Sequence, residues 1–127
     1  MKHHVLTIAG QELKCRLNTQ SIINLEKRFG GKSVLKILMD EQIPGLDMVL
    51  STLHASLQAL EHGYSMTDVY DLYDEYVEEG KTYTDLIPEL LSVLEVSGFF
   101  KRAPQEEKKK PKRKKQNPIV EQENSAT

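Results

Sequence analysis

Apolar positions change their period several times along the chain. Val5-Leu6-Thr7-Ile8 and Leu13-Lys14-Cys15-Arg16-Leu17 alternate or are rich in β-formers. Ala9-Gly10-Gln11-Glu12 between them reads as a turn with Gly at its centre, so the pattern predicts a β-hairpin. Leu13, Cys15 and Leu17 share one face, and Lys14 and Arg16 the other. Two strands alone are only marginally stable, so a helix must cover the apolar face.

From there the period becomes helical. Asn18-Thr19 offers an N-cap, because a short polar side chain can accept a hydrogen bond from a free N–H of the first turn. Ile22, Ile23, Leu25 and Phe29 follow, and Gly30-Gly31 stops the helix, the first Gly supplying a left-handed cap. Ser33 opens a short second helix carrying Val34, Leu35, Ile37 and Leu38. It ends before the turn signal Ile43-Pro44-Gly45. Leu46, Val49, Leu50, Leu53, Leu57 and Leu60 recur at helical steps and predict a third helix with a continuous apolar stripe, closed by Glu61-His62-Gly63. Ser65-Met66-Thr67-Asp68 is a capping-box pattern with Asp in place of Glu. It opens a fourth helix with Val69, Leu72, Tyr73, Tyr76 and Val77 inside, acids around the rest, and Gly80 at its end. A fifth helix is expected over 84–97, capped by Thr84. Its stripe is Leu86, Ile87, Leu90, Leu91 and Leu94, with Pro88 near enough to the start to be tolerated. Gly98 is its stop, and Phe99-Phe100 a last apolar anchor. The expected fold is mainly α (α+β), about five helices with an N-terminal β-hairpin.

Composition divides the chain in two. Its 127 residues allow one domain. Positions 108–115 carry no apolar residue, and Ile119-Val120 is too brief to offset the entropy of ordering its surroundings. The reading is a helical domain over 1–100 and a disordered Lys-rich tail over 101–127. Residues 1–100 hold 8 Lys/Arg and 15 Asp/Glu, net −7, while 101–127 hold 9 and 4, net +5. An acidic body repels nucleic acid; the basic segment can attract nucleic acid, an acidic protein surface, or its own body. The single cysteine, Cys15, permits no intramolecular disulfide, which suits a reducing compartment. Neither a signal-peptide pattern nor a membrane-length apolar run is present in the sequence, so a cytoplasmic protein is expected.

Chemistry is sparse. Carboxylates on the fourth helix splay outward, whereas Ca²⁺ needs oxygens converging from a turn, so a solvated face is the simpler reading. His54 and His62 are eight apart, His3-His4 sits at the N-terminus, and no spacing completes a zinc tetrahedron with Cys15. Cys15 alternates with apolar neighbours as a core residue does, and no nucleophile is paired with a base. Gly30-Gly31-Lys32-Ser33 mimics the end of a phosphate loop, but position 25 is Leu where that loop needs Gly. No enzyme, cofactor or metal site is expected.

The order of motifs adds a family. A hairpin leads into a helix ending Phe29-Gly30-Gly31. After it come Leu53-His54-Ala55-Ser56-Leu57-Gln58-Ala59-Leu60-Glu61-His62-Gly63 and Ser65-Met66-Thr67-Asp68-Val69-Tyr70-Asp71-Leu72-Tyr73-Asp74-Glu75. Over roughly residues 5–100 this resembles the tail assembly chaperones of long-tailed bacteriophages and prophages. There a long apolar helix ends in a "gl.h" segment and an "lt.eev.dliDe" helix follows. The resemblance implies a protein of the bacterial host cytoplasm, absent from the finished virion. It implies that the chain coats the tape measure protein and keeps it soluble until tube subunits polymerise. A longer, frameshifted form that recruits the tail tube protein is also implied, and codons for Lys108-Lys109-Lys110 are where slippage would be sought.

A helical tape measure partner would be met by a helix-lined groove. Adaptable Met39, Met48 and Met66 are candidates for its lining, the first two flanking the turn at Ile43. Asp71 and Asp74 are candidates for holding a basic partner segment, and Phe99 and Phe100 for apolar contact. Lys108, Lys109, Lys110, Lys112, Arg113, Lys114 and Lys115 form the electrostatic candidate. The helical stripes also allow self-association. The rival reading is a small nucleic-acid-associated regulator that uses the basic tail, with affinity falling steeply as salt rises.

Overall fold

The N-terminal hairpin forms with a tighter turn than its sequence pattern suggests. A computed structural model describes residues 2–101. Strand β1 (His4–Ile8) pairs antiparallel with β2 (Gln11–Cys15), Ile8 facing Gln11 and His4 facing Cys15. Only Ala9 and Gly10 make the turn, at φ 54° and 75°. Two consecutive positive φ values are the twist that two-residue hairpins use, so Gln11 and Glu12 join the strand rather than the loop. Leu13, Cys15 and Leu17 are fully buried, as alternation predicts.

Five helices follow: α1 (Thr19–Arg28), α2 (Val34–Met39), α3 (Leu46–Leu57), α4 (Met66–Glu78) and α5 (Tyr83–Val96). The Asn18, Ser33 and Ser65 side chains accept from Ser21, Lys36 and Asp68 backbone N–H groups. At α4 the box closes, because Asp68 also accepts from the Ser65 N–H at 2.9 Å. For α5 the cap is Thr82, not Thr84: the Asp85 carboxylate accepts from the Thr82 N–H at 2.9 Å. The earlier start places Pro88 more than one turn into α5, where it cannot donate to the Thr84 carbonyl. The first N–H of α5, on Tyr83, donates to the Tyr73 hydroxyl at 3.0 Å.

Helix ends follow one device. At α1, Gly31 N–H donates to Glu26 C=O at 2.7 Å and Gly30 N–H to Lys27 C=O at 3.2 Å, with Gly30 at φ 73°. This is the Schellman closure, which needs a left-handed residue and so favours Gly. Helices α4 and α5 close the same way, on Tyr76 C=O and Leu94 C=O. The exceptions are α2, which ends at Asp40 in extended backbone, and α3, which stops at Leu57 instead of running past Leu60. The Gln58 side-chain amide donates to His54 C=O at 2.8 Å and Tyr64 C=O at 3.0 Å, and Ser56 C=O accepts from Arg16 N–H at 2.8 Å. Carbonyls that would continue the helix are thereby committed elsewhere.

The core is organised around α3, which packs on α1, α4, α5 and β2. Helix α5 in turn covers β1 and meets α2. The expected stripe on α3 is a nearly complete jacket: Val49, Leu50, Leu53 and Leu57 are buried, and so are Ser51, Thr52 and Ser56. Burying a hydroxyl is costly without a partner. Thr52 and Ser56 hydroxyls donate to Met48 C=O and Leu53 C=O at 2.8 and 2.7 Å. Phe99 and Phe100 pack against the core, as an anchor should.

The outer edge of β2 is closed by hydrogen bonds. Lys14 N–H donates to the Glu61 carboxylate at 2.9 Å, and Arg16 N–H to Ser56 C=O. At the hairpin tip, Ala9 N–H donates to the Glu79 carboxylate. His4 Nε2 meets Glu89 and ties β1 to α5. The Lys-rich tail read over 101–127 lies outside the described residues except for Lys101.

Candidate functional site

Helix α3 has concavities along its exposed flanks, and the candidate residues divide among them. Between α1 and α3 runs a groove of about 410 Å³. Ser21, Asn24, Leu25 and Arg28 line one wall, and Ser51, His54, Ala55 and Gln58 the other, each set at steps of three and four that define one helix face. Met66 closes its end. Below the α2–α3 connection lies a second concavity of about 520 Å³, where Ile43 and Met48 face Lys32 and Lys36. Met39 is exposed but is not part of that lining. Between α3 and α4 a third groove of about 320 Å³ is lined by Leu46, Asp47, Leu50, Tyr70, Tyr73 and Asp74.

The sequence-read set therefore does not meet in one place. Met48 and Met66 line different concavities, and both are half-buried against the core. Phe99 and Phe100 are committed to the same core. Asp71 and Asp74 are exposed on α4, and only Asp74 of the pair lines a groove. Lys108, Lys109, Lys110, Lys112, Arg113, Lys114 and Lys115 lie outside the described residues.

The α3–α4 groove has the character of a contact surface. Its walls include Leu46 and Tyr70, exposed at 40% and 46%, and Val77, at 44%, continues the α4 wall one turn on from Tyr73. Val77 was expected inside. At 100° per residue the apolar side chains of α4, from Leu72 round to Tyr70, cover an arc of about 160°. Leu72, Tyr76 and Val69 fill one side of it and are buried; Tyr73 is half-buried, and Val77 and Tyr70 form the uncovered margin on the other side. An arc wider than one packing face leaves apolar surface over. That excess is the signal that could have found Tyr70 in the sequence. Asp47 and Asp74 rim the groove, and Asp47 accepts from Arg28 at 3.2 Å across the α3 shoulder.

Titratable groups among the described residues depart from their ordinary values where burial or a helix cap acts on them. Burial pushes the Cys15 thiol up to about 11, with Ser56 opposing and Glu61 and Glu89 adding to the rise. It is a thiol at neutral pH and a poor nucleophile. Tyr76 is pushed up to about 12, first by burial and then by Asp85, Glu89, Glu79 and Tyr73. The Ser65 backbone N–H, and then its hydroxyl, hold Asp68 below the usual carboxylate range. His54 lines the α1–α3 groove while His62 is exposed on the α3–α4 turn. Among the described residues, no group of three or more His, Cys, Asp or Glu could hold a metal ion, and no helix is long and apolar enough to cross a membrane.

No curated protein and no solved structure matches this chain. A model described as a family of unknown function, DUF6096, matches residues 2–124. That match spans nearly the whole sequence, and the chain belongs to the DUF6096 family.

Proposed function

We propose that this protein is a non-enzymatic binding protein of phage tail assembly, a chaperone that holds the tape measure protein soluble in the host cytoplasm and promotes assembly of the tail tube. The observation that carries the reading is the apolar groove between α3 and α4, walled by Leu46, Leu50, Tyr70 and Tyr73 and extended by Val77. Two helices present side chains to a shared channel there, the geometry that receives an amphipathic helix. The order of motifs from the hairpin to Glu75 supports the same reading, through its resemblance to the tail assembly chaperones. The exposed Tyr70 and half-buried Tyr73 suit a contact that must be apolar yet tolerate water when empty. A frameshifted longer form would link this surface to tube subunits. The nucleic-acid reading rests on 108–115, and the acidic surface of residues 2–101 does not favour it.

The test is co-expression with a tape measure protein, sought in a long, helix-rich reading frame downstream of this gene. The expected result is a soluble complex that is lost in a Leu46→Ser, Tyr70→Ser, Val77→Ser variant whose helical content is unchanged. A tape measure protein that stays insoluble beside abundant chain would overturn the reading. Retention of the complex by the triple variant would move the contact away from this groove.

A further inference from the structure

The α3–α4 groove sits in a stretch of unusual charge. No Lys or Arg occurs between Lys36 and Lys81, whereas Asp40, Glu41, Asp47, Glu61, Asp68, Asp71, Asp74, Glu75, Glu78 and Glu79 all fall within it. Asp47 and Asp74 line the groove itself, and Asp71 and Glu78 are exposed on the flank of α4 next to Asp74. The groove is thus apolar at its floor and negative at its rim. Positions 108–115 of the same chain, Lys-Lys-Lys-Pro-Lys-Arg-Lys-Lys, carry seven positive charges and no negative one.

We infer that in the free protein the groove between α3 and α4 is occupied by this chain's own basic segment, 108–115. The match is one of chemistry as well as sign. Lys and Arg lay their methylene stems on apolar surface while the charged heads reach outward, here toward Asp71 and Asp74, Asp47 being already engaged by Arg28. Tyr70 offers an exposed ring, and a cation over such a face is attracted by its quadrupole. The same helix already does this on its other side, where Lys81 Nζ lies 5.3 Å from the centre of the Tyr76 ring. The seven residues from 102 to 108 give a tether of up to about 25 Å. A body of this size has a radius of gyration of about 13 Å. Pairing between exposed charges is screened by salt, so the segment is held weakly and exchangeably. A partner with a better apolar face displaces it. This self-occupancy is a property of the free chain, and it does not depend on which partner the groove serves.

The test uses the full chain with a nitroxide spin label on Gln116→Cys. Cys15, buried and with its thiol pushed up to about 11, leaves residue 116 as the reactive position. The expected result, at about 0.02 M salt, is paramagnetic broadening of the Leu46, Tyr70 and Asp74 amides several-fold stronger than at Gln20 or Glu26 on α1. It is relieved at about 0.5 M salt and by Asp71→Asn with Asp74→Asn. Broadening spread evenly over the surface, or centred on another face, overturns the inference. So does broadening of an unlabelled, isotope-enriched chain mixed with labelled chain, which would assign the groove to a second copy. Because no tape measure protein is present, failure here leaves the co-expression result standing, and the reverse holds as well.

Discussion

Helices α3 and α4 are neighbours of almost equal length, 12 and 13 residues, and they are made helical by different means. Seven residues of α3 are buried against three of α4. Gly45 provides α3 with no side-chain cap, while α4 begins with a closed box between Ser65 and Asp68 and ends in a Schellman closure. Helix α3 is held by its surroundings, since a short helix in water is marginal without tertiary packing. Helix α4 satisfies its own ends and depends less on what covers it. The difference explains why the groove can lie on α4 at all: a helix fixed at its termini can leave Tyr70 and Val77 uncovered without fraying.

The comparison makes graded predictions. Leu53→Ala, in the middle of α3, empties a site enclosed on all sides and is expected to cost about 2–5 kcal/mol in urea unfolding. A cost near zero would show that α3 is not the core element. On the buried side of α4 the effect depends on pH. The folded protein holds Tyr76 neutral up to about 12, above its ordinary value of 10.0. Stability from this shift is fully present below the unfolded value and is lost as pH rises through the folded one. Alkaline unfolding should therefore be steep between those two values and flatter in Tyr76→Phe; an unchanged profile would remove Tyr76 as its source. Ser65→Ala opens the capping box and should cost about 1 kcal/mol. Faster amide exchange confined to the first turn of α4 would accompany it, and no change would place the stability of α4 in its packing instead. Smallest is Val77→Ala, expected to stay within about 0.5 kcal/mol because the side chain is uncovered. A loss there comparable to Leu53→Ala would mean that the two helices are held alike.

Local chemistry was the legible part of the sequence. Asn18, Ser33 and Ser65 cap where their positions suggest, and Gly30, Gly80 and Gly98 close helices, because each device involves groups only a few residues apart. Misplacing the α5 cap at Thr84 overlooked Thr82 and Asp85, spaced as Ser65 and Asp68 are. The end of α3 was not legible in the same way. It is set by Gln58 reaching Tyr64 and by Arg16 taking the Ser56 carbonyl, contacts that exist only once the chain has folded. The groove was half legible. The acids of α4 and its broad apolar arc are written in the sequence, but which margin of the arc remains open is decided by where α3 packs. Met48 and Met66 illustrate the limit, since a side chain beside a turn can line a concavity and still be part of the core.

The hydrogen bonds on β2 have a consequence for how the molecule behaves in company. A two-stranded ribbon ordinarily offers a ladder of donors and acceptors on each side, a template on which another chain can grow. Here Glu61 and the Ser56 carbonyl occupy the Lys14 and Arg16 donors. A visiting strand would have to displace both before it could register against β2. Along this edge the chain thus carries a guard against being drawn into β-aggregates, built from one carboxylate and one carbonyl at the end of a helix.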